Sequence, residues 1–460
     1  MGRLARSRSS LGAQRQVHFR AFPKRAGSGR RQLKLLQRAS DGKSMRTPPS
    51  TQRALQLATC LACGSDKNYQ LGHWQEMPLS VINLPRTQAA AKSAPTFELD
   101  VRRCGNCGHV FHTRFDPDAV QYKDASNLVF NNGHGWQQYQ KELAQRWFKE
   151  WNLEGKLVVE VGAGDGEFLD RFRQLGAEVL AFEPGPDAEA CSRLGLRVKQ
   201  NYFGAGEVAH FSPAAIICRH VIEHMADPAE FLREIRLGAV ATEQAPVFLA
   251  EVPRIDKALE HHRINDFLYE HVSHFTEHSF RVLFEEAGWD VLAMESGYGD
   301  EVVNLAARPR SRCSLRVEEP TSHLKSVAES SRRFSESVDT HVHELRERLA
   351  DWQAAGRTVA LWGGTGKGAA LINMCGLNAD KAPLVIDSDP RKQGAFVPGT
   401  AQVIRGPGAC EESGVDVILI CTQWRARDIE HEIRQRLGLE AELFVVHRGR
   451  IAELTPQLEI

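Results

Sequence analysis

The strongest constraint on this chain is the stretch Lys156-Leu157-Val158-Val159-Glu160-Val161-Gly162-Ala163-Gly164-Asp165-Gly166. An apolar run of strand length ends in three glycines on alternate positions. A helical pattern follows to Leu175, then a second apolar run, Val179-Leu180-Ala181-Phe182, that closes on Glu183. Strand, glycine turn, helix, strand and acid in this order predict a nucleotide-binding β-α-β unit. Glycine has no Cβ, so the backbone turns sharply at the strand end and approaches a ligand closely, with the amides of the next helix facing it. A carboxylate ending the second strand can accept both hydroxyls of a ribose. The spacing is Gly-x-Gly-x-Gly and not the Gly-x-Gly-x-x-Gly that suits a pyrophosphate.

Led by Glu160, the pattern resembles motif I of class I S-adenosylmethionine (SAM) methyltransferases. The resemblance implies that Gly162 and Gly164 lie under the methionine part of SAM, with Asp165 and Gly166 in the same site. It also implies that Glu160 orients the SAM amino group and that Glu183 holds its ribose. A third strand is expected near Leu196 to Val198, followed by Asn201, whose side chain could meet the adenine edge. A fourth, Ala214 to Cys218, leads into Arg219-His220-Val221-Ile222-Glu223-His224. In such enzymes this strand end faces the sulfonium, which gives His220 a functional reading. His224 is read as a core histidine paired with a carboxylate.

At 460 residues the chain is expected to form two or three domains. Its 42% hydrophobic and 25% charged content is ordinary for a soluble protein, and no apolar run reaches the length of a membrane span. The net charge of zero hides an asymmetry. Residues 1–46 hold 13 Lys and Arg against Asp41 alone, which leaves 45 basic and 57 acidic residues in the remainder. An acidic folded part argues against a nucleic-acid partner. Residues 1–50, rich in Arg, Ser and Gly without a periodic apolar face, are expected to be a disordered basic leader. Their composition also fits a transit peptide, and Met45 is an alternative start.

Of ten cysteines, four form two Cys-x-x-Cys-Gly knuckles, Cys60/Cys63 and Cys104/Cys107. The other six are scattered among apolar neighbours, which is intracellular usage and points to the cytoplasm. Four thiolates suit tetrahedral zinc with no open position, hence a structural site; a redox dithiol or free thiols are the alternatives. His109 and His112 are possible substitute ligands but are read as lining the neighbouring strand. Trp136, Tyr139, Leu143, Trp147 and Trp151 recur at helical spacing between Asn131 and Leu153, predicting an amphipathic helix. A fifth strand, Val247 to Val252, precedes Phe267-Leu268-Tyr269-Glu270-His271-Val272-Ser273. There a phenol, a carboxylate and an imidazole adjoin, and such a trio can take a proton from carbon beside a carbonyl. The alternative is a helix N-terminus with surface polar groups.

Together these strings resemble the sugar C-methyltransferase family, from Cys60 to the C-terminus. Lys392-Gln393-Gly394 and Pro398-Gly399-Thr400 belong to the likeness as well. The fold class expected is α/β: a small zinc-binding domain (56–120), a central class I SAM methyltransferase domain with a Rossmann-like sheet (131–310), a linking helix (320–355) and a C-terminal Rossmann-like domain (356–460). A coiled-coil dimer is the second reading of that helix; the chain is expected to be a monomer or homodimer.

Gly363-Gly364-Thr365-Gly366-Lys367-Gly368 is not a Walker loop, because Leu361 and Gly368 stand where it needs Gly and Ser or Thr. With Asp387 downstream it fits a relaxed dinucleotide fingerprint, so an NAD-type oxidoreductase remains an alternative, beside a non-catalytic binding protein and an O- or N-methyltransferase. The resemblance instead implies a small-molecule substrate, a 4-keto sugar on a nucleoside diphosphate, held partly by the C-terminal domain. It implies His271 as the base, supported by Glu270 and Tyr269, with His220 on the enolate oxygen and SAM and zinc as cofactors. Characterised sugar enzymes tend to carry Tyr-His-Glu-His where this chain has Leu268-Tyr269-Glu270-His271.

Overall fold

β1 (Asn68–Pro78) and β2 (Thr96–Cys104) form an antiparallel pair that buries Leu71, Met77 and Pro78 of the first strand and Leu99 to Val101 and Cys104 of the second. Two register shifts, at Gln70/Gly72 and Trp74/Met77, bend the ribbon. β3 (Val110–His112) pairs with the other edge of β2. The computed structural model describes residues 59–82, 84–124, 133–242, 245–310 and 321–458, all within one compact unit, 53–460. The expected basic leader, 1–50, and the start at Met45 lie outside the described residues.

The central sheet is built of β4 (Leu157–Val161), β5 (Glu178–Phe182), β6 (Val198–Lys199), β7 (Ala215–Arg219) and β8 (Val247–Pro253), all parallel. After β9 (Ser273–His274), which joins β3 in the first sheet, a hairpin of β10 (Trp289–Gly297) and β11 (Val302–Pro309) completes it. The order is β10-β11-β8-β7-β4-β5-β6, with β11 antiparallel to β8. Helices on both faces bury β7 completely, which is why Ala215-Ile216-Ile217-Cys218 reads as a continuous apolar run. Strand order reverses between β4 and β7, so the loops leaving these two strands diverge and open a crevice.

The third sheet runs β14 (Ile404–Arg405), β13 (Leu384–Ile386), β12 (Val359–Trp362), β15 (Val417–Ile420), β16 (Glu442–His447), β17 (Arg450–Glu453), parallel except for β17. Its reversal falls beside β12, at the loop Gly363 to Gly366. The helix Thr321–Ala354 buries Val327, Phe334, Leu345, Leu349 and Trp352 within its own chain. Phe334 meets Phe267 at 5.2 Å and Trp352 meets Phe444 at 4.8 Å between ring centroids. The second reading, a coiled-coil stripe, is thereby corrected: the apolar face is already spent on intramolecular packing. Among the described residues no helix is long and apolar enough to cross a membrane.

One buried carboxylate ties the sheets together. Oε1 of Glu270, a residue with no exposed surface, accepts the backbone amides of Ser80 (2.5 Å) and Val81 (2.7 Å). The carbonyl of Ser80 in turn accepts the amide of Gly366 at 2.8 Å. Nearby, Asn265 donates to the carbonyl of Cys421 (2.7 Å), and Lys367 pairs with buried Asp266.

Phe334→Ala is expected to cost about 3–5 kcal/mol of stability, because a fully buried ring is removed from a packed site. Denaturant unfolding checks this; an unchanged midpoint with altered self-association would return the stripe to a dimer interface.

Candidate active site

The turn after β4 needs its glycines for a visible reason. Gly162 has φ +66°, and a Cβ there would lie 2.5 Å from Cγ2 of Val221 in the loop after β7. Gly166, at φ +82°, caps the helix Glu167–Leu175. Glu160 is 3% exposed and its Oε2 has no partner. Burial pushes its carboxyl up to about 8, although Arg219 pulls the other way. An orphaned buried carboxylate beside a crevice suits an ammonium group, so the residues present fit the amino-acid end of SAM.

Glu183 carries a second duty. Its Oε2 accepts the amide of Gly164 (2.9 Å) and its Oε1 that of Gly185 (2.8 Å), so it clamps the glycine turn and offers a ribose only its remaining lone pairs. Asn201 departs from expectation. It faces a separate cavity of about 260 Å³ with Phe182 and Lys199, because β6 ends after two residues and the chain swings away.

The main cavity, about 920 Å³, lies between the strand ends of the central and third sheets. Glu160, Gly162, Gly164 and Asp165 line one side; Trp362, Thr365, Lys367, Asp387, Lys392 and Trp424 come from the other. The Asp387 carboxylate, which a ribose would need in the dinucleotide reading, is engaged by the Gly364 amide (3.3 Å) and by Lys392 (3.4 Å).

His220, Glu223, His224 and His271 all border this cavity. His220 has φ +53°, a conformation rare outside glycine. Its amide donates to the carbonyl of Glu251 (2.9 Å), while its Nε2 meets Glu251 Oε1 at 3.0 Å and its Nδ1 lies 3.6 Å from Glu223. Burial opposes a charge on this ring, but the two carboxylates outweigh it and push the pKa up to about 9, so the ring is an imidazolium at neutral pH. Glu251 is the hub. Burial opposes its charge, yet Arg219, which donates twice to Oε1 (3.0 and 2.5 Å), and His220 hold it down at about 2; Tyr139 donates to Oε2 (2.5 Å).

His271 lies at the opposite extreme. Burial first, then the neighbouring His224 and His274, hold its pKa well below the usual histidine range, so it is neutral. The rings of His224 and His271 meet edge to face at 4.6 Å. His224 is not paired with a carboxylate as expected: its Nδ1 lies 2.6 Å from the Tyr122 hydroxyl and 3.0 Å from the carbonyl of Glu270.

Two expected members of the trio fall elsewhere. Glu270 gives its carboxylate to the Ser80 and Val81 amides and makes no hydrogen bond to His271. Tyr269 is buried away from the cavity, stacked on Phe97 at 4.7 Å, with its hydroxyl accepting the Asp116 amide and donating to the carbonyl of Arg114. The chain turns here, with the amide of His271 donating to the carbonyl of Leu268 (3.1 Å), so the three consecutive side chains leave in different directions and only His271 borders the cavity. Glu251 was missed in the sequence, although a lone acid inside the apolar run Val247 to Val252 signals a buried charge with a partner.

The four knuckle sulfurs converge. Cys60 and Cys107 lie 3.6 Å apart, as do Cys63 and Cys104, and all four are within 4.8 Å of one another. A tetrahedral zinc with ~2.3 Å bonds sets sulfurs ~3.8 Å apart, so the cluster is compatible with zinc. Gly64 and Gly108 adopt φ +71° and +72°, and the amide of Asn106 points at Cys104 Sγ (3.3 Å). His109 stays outside the cluster, stacked on Phe275 at 4.8 Å.

Residues 131–294 match a methyltransferase domain family, and residues 308–443 match the C-methyltransferase C-terminal domain. The chain is 28% identical over 376 residues to C-methyltransferase NovU of Streptomyces niveus, covering 76% of this chain and 85% of that one. It is 30% identical over 114 residues to the ubiquinone biosynthesis O-methyltransferase of Pseudomonas paraeruginosa, 23% of this chain and 48% of the relative. Among solved structures, magnesium protoporphyrin IX methyltransferase from Synechocystis with bound SAH aligns at TM-score 0.30 and 15% identity, over 38% of this chain and 84% of that one. The match of 308–443 replaces the NAD-type reading of the Gly364 loop.

Titrating the protein with SAM at pH 7 should release about one proton per chain, because an arriving ammonium ionises the Glu160 carboxyl. Calorimetry in buffers of different ionisation enthalpy reads this, and Glu160→Gln should abolish the buffer dependence; equal heats in every buffer for the wild type would refute it. Elemental analysis should find about one zinc per chain, lost with unfolding of the first sheet in Cys107→Ser; a metal-free, fully folded wild type would contradict the site.

Proposed function

We propose that this chain, a SAM-dependent methyltransferase of the C-methyltransferase family, methylates the carbon beside the ketone of a nucleotide-linked sugar. The observation that carries this reading is the coexistence, on one cavity, of a neutral imidazole, His271, and a charged one, His220. Methylating carbon requires both: an acceptor for the carbon-bound proton and a donor for the oxygen that gains charge. An O- or N-methyltransferase has less need of the pair.

Bound against Glu160 and the glycine turn, SAM supplies an electrophilic methyl group. The residues of this chain prepare the acceptor for it. His271 takes the proton from carbon. Its own basicity is low, so the ketone must be made more acidic, which is the work of the positive charge of His220 beside the ketone oxygen: its Nε2–H is committed to Glu251 (3.0 Å), and Nδ1–H, 3.6 Å from Glu223, is the donor left to turn to that oxygen. Glu251 and Glu223 hold that ring charged and oriented before substrate arrives, and donors fixed in this way are worth about 10²–10³ in rate. Glu270 is a positioning residue: it fixes the strap Ser80–Val81 and, through its carbonyl, His224. Arg425, whose buried Nε has no partner, lies on the third-sheet side, where a diphosphate would be received, while Lys367 and Lys392 there are already paired with Asp266 and Asp387; Trp424 offers a face for a flat ring.

In D₂O, with a nucleoside-diphosphate 4-keto sugar and no SAM, the enzyme should exchange the proton beside the ketone. His271→Ala should lose exchange and methyl transfer by at least about 10²-fold while keeping SAM affinity; exchange that survives the substitution would sink the assignment. His220 works in its charged form, present below about pH 9, so kcat should fall as pH rises through that value.

A further inference from the structure

Glu223, His224 and His271 each offer one ligand-type atom, and these three atoms lie within 4.8 Å of one another. We propose that these three residues form a second metal site, distinct from the cysteine cluster, that takes a divalent transition-metal ion through Nε2 of His224, a ring nitrogen of His271 and Oε2 of Glu223. Glu223 Oε2 is buried with no hydrogen-bond partner, on a residue 2% exposed. A carboxylate oxygen left bare at a cavity wall is costly unless a cation completes it.

The state of His224 supports the assignment. A carbonyl can only accept, so the Nδ1 that lies 3.0 Å from the Glu270 carbonyl carries the hydrogen and donates it, with the Tyr122 oxygen, 2.6 Å from the same nitrogen, sharing that hydrogen as a second acceptor. Nε2 then holds the free lone pair. An imidazole whose Nδ1–H is pinned by a backbone carbonyl is the usual orientation of a metal-binding histidine. His271 makes no ring hydrogen bond among the described residues. Two imidazoles and one carboxylate select transition ions over calcium or magnesium, and leave positions open on the cavity side. Bonds of ~2.1 Å need ligand atoms ~3–4 Å apart, within reach of small rotamer changes from the present arrangement.

An ion held here takes the lone pair of His271 and with it the capacity to accept a proton. Occupancy therefore switches the methyltransferase off. This consequence rests on the proton-acceptor reading of His271; the site does not.

Cobalt(II) titrated into protein whose cysteine-bound zinc has been quantified is the test. One added cobalt per chain is expected, with visible bands of nitrogen and oxygen ligation, no thiolate charge transfer and unchanged zinc. Affinity should fall at least about tenfold in Glu223→Gln and in His271→Ala. Methyl transfer should fall with occupancy and return on mild chelation that spares the zinc. No added cobalt bound at millimolar concentration, cobalt seen only with thiolate bands, or wild-type affinity in both variants overturns the site. Full activity with cobalt bound overturns the switch. If His271→Ala loses cobalt yet still transfers methyl groups, the proton-acceptor reading fails and the metal site stands.

Discussion

The architecture depends on the carboxylate of Glu270. Burying an acid is unfavourable, and burial raises its pKa even though backbone amides of the strap pull it down. Those amides offset part of the cost and fix the position of Ser80, whose carbonyl then fixes Gly366. One side chain on the segment between β8 and β9 thus sets where the first sheet and the third sheet stand around the crevice of the second. Neighbouring contacts reinforce it: β9 pairs with β3, and Asn265 reaches the end of β15.

Within that frame, opposite charge states are maintained over short distances. Arg219, Glu251, His220 and Glu223 form a chain of alternating sign, and each member stabilises the charge of the next. His271 is set among histidines and apolar walls, so burial decides and it stays neutral. Environment, not residue type, separates the two imidazoles into a charged and a neutral one.

The elements with a strong local signal were legible in the sequence. The glycine turn, β4, β5, β7, β8 and the helix His134–Glu150 follow from periodicity and glycine placement, and the paired knuckles predicted a four-sulfur cluster. What could not be read was decided by tertiary contact. Tyr269 and Glu270 look catalytic beside His271, but the turn from Leu268 to His271 sends them to other faces. His224 looks structural until Tyr122, about a hundred residues earlier, is seen against it. β1 and β2 carry no regular alternation of buried and exposed residues, and the hairpin of β10 and β11 is marked only by its turn, Gly297-Tyr298-Gly299-Asp300.

The cavity takes its two walls from two sheets, and this has a consequence for how such enzymes diverge. The wall with Glu160 and the glycine turn is interlocked: Gly162 and Val221 touch so closely that neither position tolerates drift alone. The facing wall is made of loop ends after β12, β13 and β15, and it meets the Glu160 side unevenly: Trp424 packs edge-on against Trp136 and Tyr298 (5.8 and 5.6 Å), whereas Ser388 bonds to Glu432 (2.8 Å) within its own wall. Lineages in search of new acceptors can therefore remodel Ser388 alone, while Trp424 changes only together with its two partners.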